Sequence, residues 1–92
     1  MKFNPGKLVM THGVYELTVE RDDFARHVQL SVARHLAGDW GDLCDDDRVA
    51  NERALVEGGR LFSAYTQEGH QKIWIITEWD RSVTTVLLPE EY

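Results

Sequence analysis

The apolar residues of this chain change period once. Phe24, Val28, Val32 and Leu36 recur every four residues, with Ala25 and Ala33 beside them, and Gly38 stands where a helix-ending glycine belongs. From Arg60 the period becomes two. Leu61, Ser63 and Tyr65 alternate with Phe62 and Ala64, and KIWIIT (72–77) and SVTTVLL (82–88) follow, rich in β-branched and aromatic residues. QEGH (67–70) and Asp80-Arg81 read as turns, and Pro89 stops the last strand. Helices first and strands second imply an α+β fold: two to three helices packed on one face of an antiparallel three- to four-stranded sheet, ending in a C-terminal β-meander. Ninety-two residues make a single domain, 1–92.

The remaining elements carry weaker signals. KLVM (7–10), after the turn signal Asn4-Pro5-Gly6, reads as a short strand. Thr11 is placed to N-cap a helix through Val14, Leu17 and Val19, and Asp22 or Asp23 to cap the long helix. A further helix is expected from about Asp45 to Glu57, with Ala50, Ala54 and Leu55 as its apolar stripe and Gly58-Gly59 as its stop.

The charge balance bears on partners. Ten basic against sixteen acidic residues give a formal net charge of −6. Nucleic-acid affinity rests on Lys and Arg neutralising phosphates, so direct binding of DNA or RNA is not expected, whereas a basic protein partner is. No apolar run has the length of a membrane span, and the N-terminus has no secretory signal pattern. With one cysteine, Cys44, and so no intrachain disulfide, the expected compartment is the cytosol.

Chemistry is harder to find. GDWGDLCDDD (38–47) holds five aspartates, but Asp39, Asp42 and Asp45 are three apart and Gly41 is misplaced for a calcium loop. Two readings stand: Asp45, Asp46 and Asp47 fill the first turn of a helix while Trp40 and Leu43 anchor the loop beneath, or the stretch is an acidic patch facing a protein. His27 and His35 are eight apart, too far to share a metal on one helix, and Cys44 completes no zinc pattern with them. His27 is expected at the polar edge of its helix, His35 near the C-terminal end and His70 in a turn. Ser63, Ser82 and Cys44 lack a nucleophile elbow, no phosphate-binding glycine loop occurs, and Glu78 with Asp80 reads as a hairpin turn rather than an acid–base pair. No catalytic residue, metal or cofactor is expected. Trp74, Phe62 and Tyr65 read as core or sheet-face residues; Trp79, on a turn between two acids, reads as either a simple edge cover for the sheet or a partner contact.

The segments GDWGDLCDDD, NERAL, GGRLFSAY and KIWIITEWDRSVTTVLLPEEY, within residues 36 to 92, resemble a family of small bacterial "plasmid-related" proteins carried on plasmids, prophages and integrated elements. Some of its members bear a restriction-subunit label. An acid is expected in the family at the position of Cys44, and a small residue at that of Trp79. The ending marks the family but is no catalytic signature, so it transfers no functional residue. In size, charge and genetic setting such proteins are similar to anti-CRISPR and anti-restriction proteins, which cover a surface that would otherwise hold DNA. The resemblance implies a non-enzymatic inhibitor whose partner is a basic defence complex, a CRISPR effector first and a restriction enzyme second. Its contact residues would be Asp39, Trp40, Asp42, Asp45, Asp46, Asp47, Trp79, Glu90 and Glu91. The alternative is a homodimeric interaction module pairing through an exposed last strand, Val83 to Leu88.

Overall fold

The computed structural model describes residues 1–92 and runs β1 (Lys7–Met10), α1 (His12–Glu20), α2 (Asp22–Leu36), α3 (Asp45–Glu57), β2 (Leu61–Tyr65), β3 (Ile73–Thr77), β4 (Val83–Leu87) and a 3-10 turn at Pro89–Glu91. The four strands form one sheet in the order β1-β4-β3-β2. The expected meander is present: β2 pairs antiparallel with β3, and β3 antiparallel with β4. β1 departs from the expectation by pairing parallel to β4, with Lys7 beside Val83 and Met10 beside Val86. That places β4 inside the sheet, flanked on both sides. Val83 to Leu88 is therefore no free edge, and the expected self-pairing through it is ruled out by the strand order.

Alternation along the strands separates two faces. Ile73, Ile75, Val86 and Tyr65 point toward α1 and α2 and meet Val14, Phe24 and Val28 in the main core. A second cluster, Trp40, Ala54 and Leu61 with Phe3, Leu43 and Leu55, joins α3 to the β2 side. The C-terminal residues cover part of the opposite face. Tyr92 lies edge-on to Trp74 with centroids 5.8 Å apart, Trp74 edge-on to Phe62 at 5.1 Å, and Arg60 Nη1 donates to the Tyr92 hydroxyl at 2.8 Å.

Several local expectations are corrected. Thr11 is the N-cap of α1 by position, yet its side chain caps no backbone group. Its hydroxyl donates to Glu91 Oε1, while Glu91 Oε2 accepts the Gly13 N–H at 2.9 Å, so the cap comes from the far end of the chain. Val19 is exposed, and so is Ala50 of the expected α3 stripe; Asn51 and Ala54 face inward instead. Arg21, not an aspartate, occupies the N-cap position of α2. His27, expected at a polar edge, is buried; His35 lies in the last turn of α2 as expected, and is buried there. No helix is long and apolar enough to cross a membrane.

Candidate partner-binding surface

The aspartate-rich stretch begins as the cover of a sheet edge. After α2 the chain turns at Gly38, and the Asp39 carboxylate is gripped by Arg34, with Nε at 2.7 Å and Nη2 at 3.2 Å. That hydrogen-bonded guanidinium, with help from the Gly41 N–H, holds the Asp39 carboxyl below the usual range. Next the Trp40 ring enters the second cluster, only 3 % exposed, stacked on Phe3, and donates its indole N–H to Glu52 at 2.7 Å. Gly41 then crosses directly over β2. A Cβ there would lie 2.0 Å from the Ala64 carbonyl oxygen, and φ is +74°, so only glycine fits. Around it the main chain brackets Ala64: the Ala64 N–H reaches the Trp40 carbonyl at 3.2 Å and the Asp42 N–H the Ala64 carbonyl at 2.7 Å. One step along, Asn51 closes the Phe62 peptide groups, donating at 2.6 Å and accepting at 3.0 Å. Every outward backbone group of Phe62 and Ala64 is thereby satisfied.

Two of the expected contact residues are removed by this geometry. Trp40 is core and cannot anchor a partner, because its ring is enclosed and its N–H is already bonded. Asp39 carries a charge that Arg34 already balances. Glu91 is likewise committed, to Thr11, Gly13 and the Leu88 N–H, and those bonds hold its carboxyl low. Glu90 stands exposed beside it, at the α1 start next to β1 and β4. The Asp-rich loop instead lies along β2, the other outer strand, about 14 Å away across three strand spacings. The C-terminal acids and the loop do not form one patch.

What remains free is the head of α3. Asp42, Asp45, Asp46 and Asp47 are exposed and take part in no side-chain hydrogen bond or salt bridge. Arg48, next along the helix, is occupied elsewhere: Nε binds the Leu43 carbonyl at 3.1 Å and Nη2 the Gly41 carbonyl at 2.6 Å. With Asn51 and Ala54 turned inward, helical spacing puts Asp45, Asp46, Val49, Arg53 and Val56 on the outward face. Val49 is 58 % and Val56 86 % exposed, which the sequence could have shown, since both lie opposite the Ala54 side. At the other end of α3 the Arg81 guanidinium binds the Ala54 carbonyl at 3.0 Å, the Gly59 carbonyl, and the Trp79 carbonyl at 3.3 Å. This clamps the β3–β4 turn against the end of α3, where Trp79 projects 71 % exposed. Thirteen residues of helix span about 20 Å. The outward face of α3 thus carries Asp45 and Asp46 at its start and Val49, Arg53 and Val56 along it, with Asp42 and Asp47 beside the head and Trp79 on the turn held to the far end.

A buried polar chain crosses beneath the sheet's helical face. His35 is fully enclosed, with Nδ1 against Ser63 Oγ and Nε2 2.9 Å from Thr77 Oγ1. Thr77 reaches Thr84 at 2.7 Å, and Thr84 reaches the Pro5 carbonyl at 2.7 Å. The last acceptor sets every proton in the row. A carbonyl only accepts, so Thr84 donates to Pro5, Thr77 to Thr84, His35 Nε2–H to Thr77, and Ser63 to Nδ1. His35 is thus the neutral Nε2–H tautomer, and burial pushes its pKa down to about 4. Ser63 beside a histidine has the pairing of a nucleophile and its base, but both are 0 % exposed, so no substrate can reach them. His27 and His70 stack at 5.4 Å, each with one buried ring nitrogen unpartnered, and burial lowers the His27 pKa, as does His70. No three His, Cys, Asp or Glu side chains converge as metal ligands.

No family model, curated protein or solved structure matches the chain.

Proposed function

We propose that the protein is a non-enzymatic binder that covers a basic, nucleic-acid-handling surface. In keeping with the family resemblance, the surface would belong to a host defence complex in the bacterial cytosol, a CRISPR effector before a restriction enzyme. The observation that carries this reading is the α3 strip: exposed Asp42, Asp45, Asp46 and Asp47 accept no side-chain hydrogen bond and form no salt bridge, they outnumber the single Arg53 on the outward face, and exposed Val49, Val56 and Trp79 lie along and at the end of the same helix. Free carboxylates attract a Lys/Arg-lined groove and raise the association rate, while a tryptophan seated in a pocket slows dissociation. The set of contact residues shrinks accordingly to the α3 head and Trp79, without Asp39, Trp40 or Glu91.

The test separates charge from anchor. Each Asp→Lys change adds two charges, so D45K/D46K/D47K takes the formal charge from −6 to zero. Association with a purified CRISPR effector is expected to slow and to lose its salt dependence in this variant. The Trp79→Ala protein is expected to dissociate faster, by a factor of about 30 for a hot spot of roughly 2 kcal/mol. Unchanged binding by both folded variants refutes the strip as the contact surface.

A further inference from the structure

The two outer strands are treated differently. β2 is sealed by Trp40, Asp42 and Asn51, whereas nothing lies against the outer side of β1. Lys7 N–H and Thr11 N–H point to β4, where they meet the Ser82 and Val86 carbonyls at 3.0 Å. The alternation of a strand therefore turns the peptide groups of Leu8 and Met10 outward, and none of them has a partner. Their side chains are also exposed, at 52 % and 44 %. Bare edges of this kind pair with further strands unless something blocks them.

We propose that the outer edge of β1 pairs with the same edge of a second copy of the chain, antiparallel about a two-fold axis at Val9, joining two four-stranded sheets into one of eight. This surface is independent of the α3 strip. The register follows from the free groups. Centring the axis on Val9 sets Leu8 opposite Met10 of the second copy, and Met10 opposite its Leu8, so that both pairs exchange two hydrogen bonds each. Leu8 and Met10 of the two copies then form one apolar row on the helical side. The same register sets Lys7 opposite Thr11 of the second copy. Thr11 Oγ1 holds the Glu91 carboxylate at 2.5 Å, so each Lys7 ammonium arrives beside an anion, twice by symmetry, and no like charges oppose one another. Nothing obstructs the approach. α1 packs over β4, so the two α1 helices would stand about 14 Å apart, wider than the roughly 8–10 Å of touching helices. A short strand pair buries less area than a permanent interface, so the dimer should be weak and concentration-dependent.

Sedimentation velocity from roughly 10 μM to 1 mM tests this. The wild-type mass should rise toward twice the 10.6 kDa of the monomer. Leu8→Pro removes only an outward N–H and should leave a monomer throughout; Met10→Lys, at an exposed side chain, is a second variant should the proline unfold the protein. Lys7→Glu, which places two carboxylates together, should weaken the dimer at least tenfold. A wild-type monomer at every concentration overturns the proposal and leaves the edge to a strand from another protein. A dimer indifferent to Leu8→Pro and Met10→Lys overturns it too, by placing the interface elsewhere.

Discussion

Acidification from pH 7 to 4.5 should cost the folded protein about 2.5 kcal/mol through His35 alone. The group is fully buried and neutral, and its pKa falls from an ordinary 6.5 to about 4. The unfolded chain therefore binds the proton first on acidification. The stabilising effect of a neutral His35 is complete above pH 6.5 and is lost as pH falls toward 4. A drop of 2.5 units at 1.36 kcal/mol each sets a ceiling of about 3.4 kcal/mol, most of it reached by pH 4.5. Urea unfolding followed by tryptophan fluorescence at pH 7.0, 5.5 and 4.5 measures it. The midpoint should fall by roughly 1–2.5 M for m-values of about 1–3 kcal/mol/M. His35→Gln supplies the control, since its amide can still accept from Ser63 and donate to Thr77 but does not titrate. That variant should be less stable at pH 7 and lose much less on acidification. His27, whose pKa is also lowered, adds a slope of the same sign but is common to both proteins. Equal pH slopes for wild type and His35→Gln refute the reasoning.

Two further changes probe the scaffold beneath the strip. Gly41→Ala should destabilise by about 2 kcal/mol or more in a thermal or urea melt, because the new Cβ strikes the Ala64 carbonyl and φ is +74°; a melt within 0.5 kcal/mol of wild type contradicts the edge-cover assignment. Glu91→Gln should cost about 1 kcal/mol at neutral pH by weakening the cap on α1, and the difference should shrink as pH falls through the lowered carboxyl range of Glu91.

What could be read from the sequence was what depends on neighbours in the chain. The spacing Phe24, Val28, Val32, Leu36 announces α2, and the alternation after Arg60 announces the meander, because burial of one face imposes those periods locally. What escaped depends on partners far away. KLVM shows a strand but not its orientation, since register and direction are chosen by β4, over seventy residues on. Glu91 looks like a free acid until the fold brings it to Thr11 and Gly13. The burial of His35 and Asn51 leaves no mark in the sequence, because their hydrogen-bond partners, Ser63, Thr77 and the Phe62 peptide groups, come from other elements. The candidate surface was half legible. Asp45 to Asp47 and Trp79 emerge exposed, while Asp39 and Trp40 in the same loop are consumed by sealing β2.

The most direct measurement is competition at a defence complex. Purified CRISPR effector is mixed with labelled target duplex and increasing amounts of this protein, and bound DNA is read by gel shift. The account predicts displacement that saturates at a fixed protein-to-effector ratio, weakens with added salt, and disappears for D45K/D46K/D47K. Undiminished DNA binding with the protein in large excess, for CRISPR effectors and restriction enzymes alike, contradicts it.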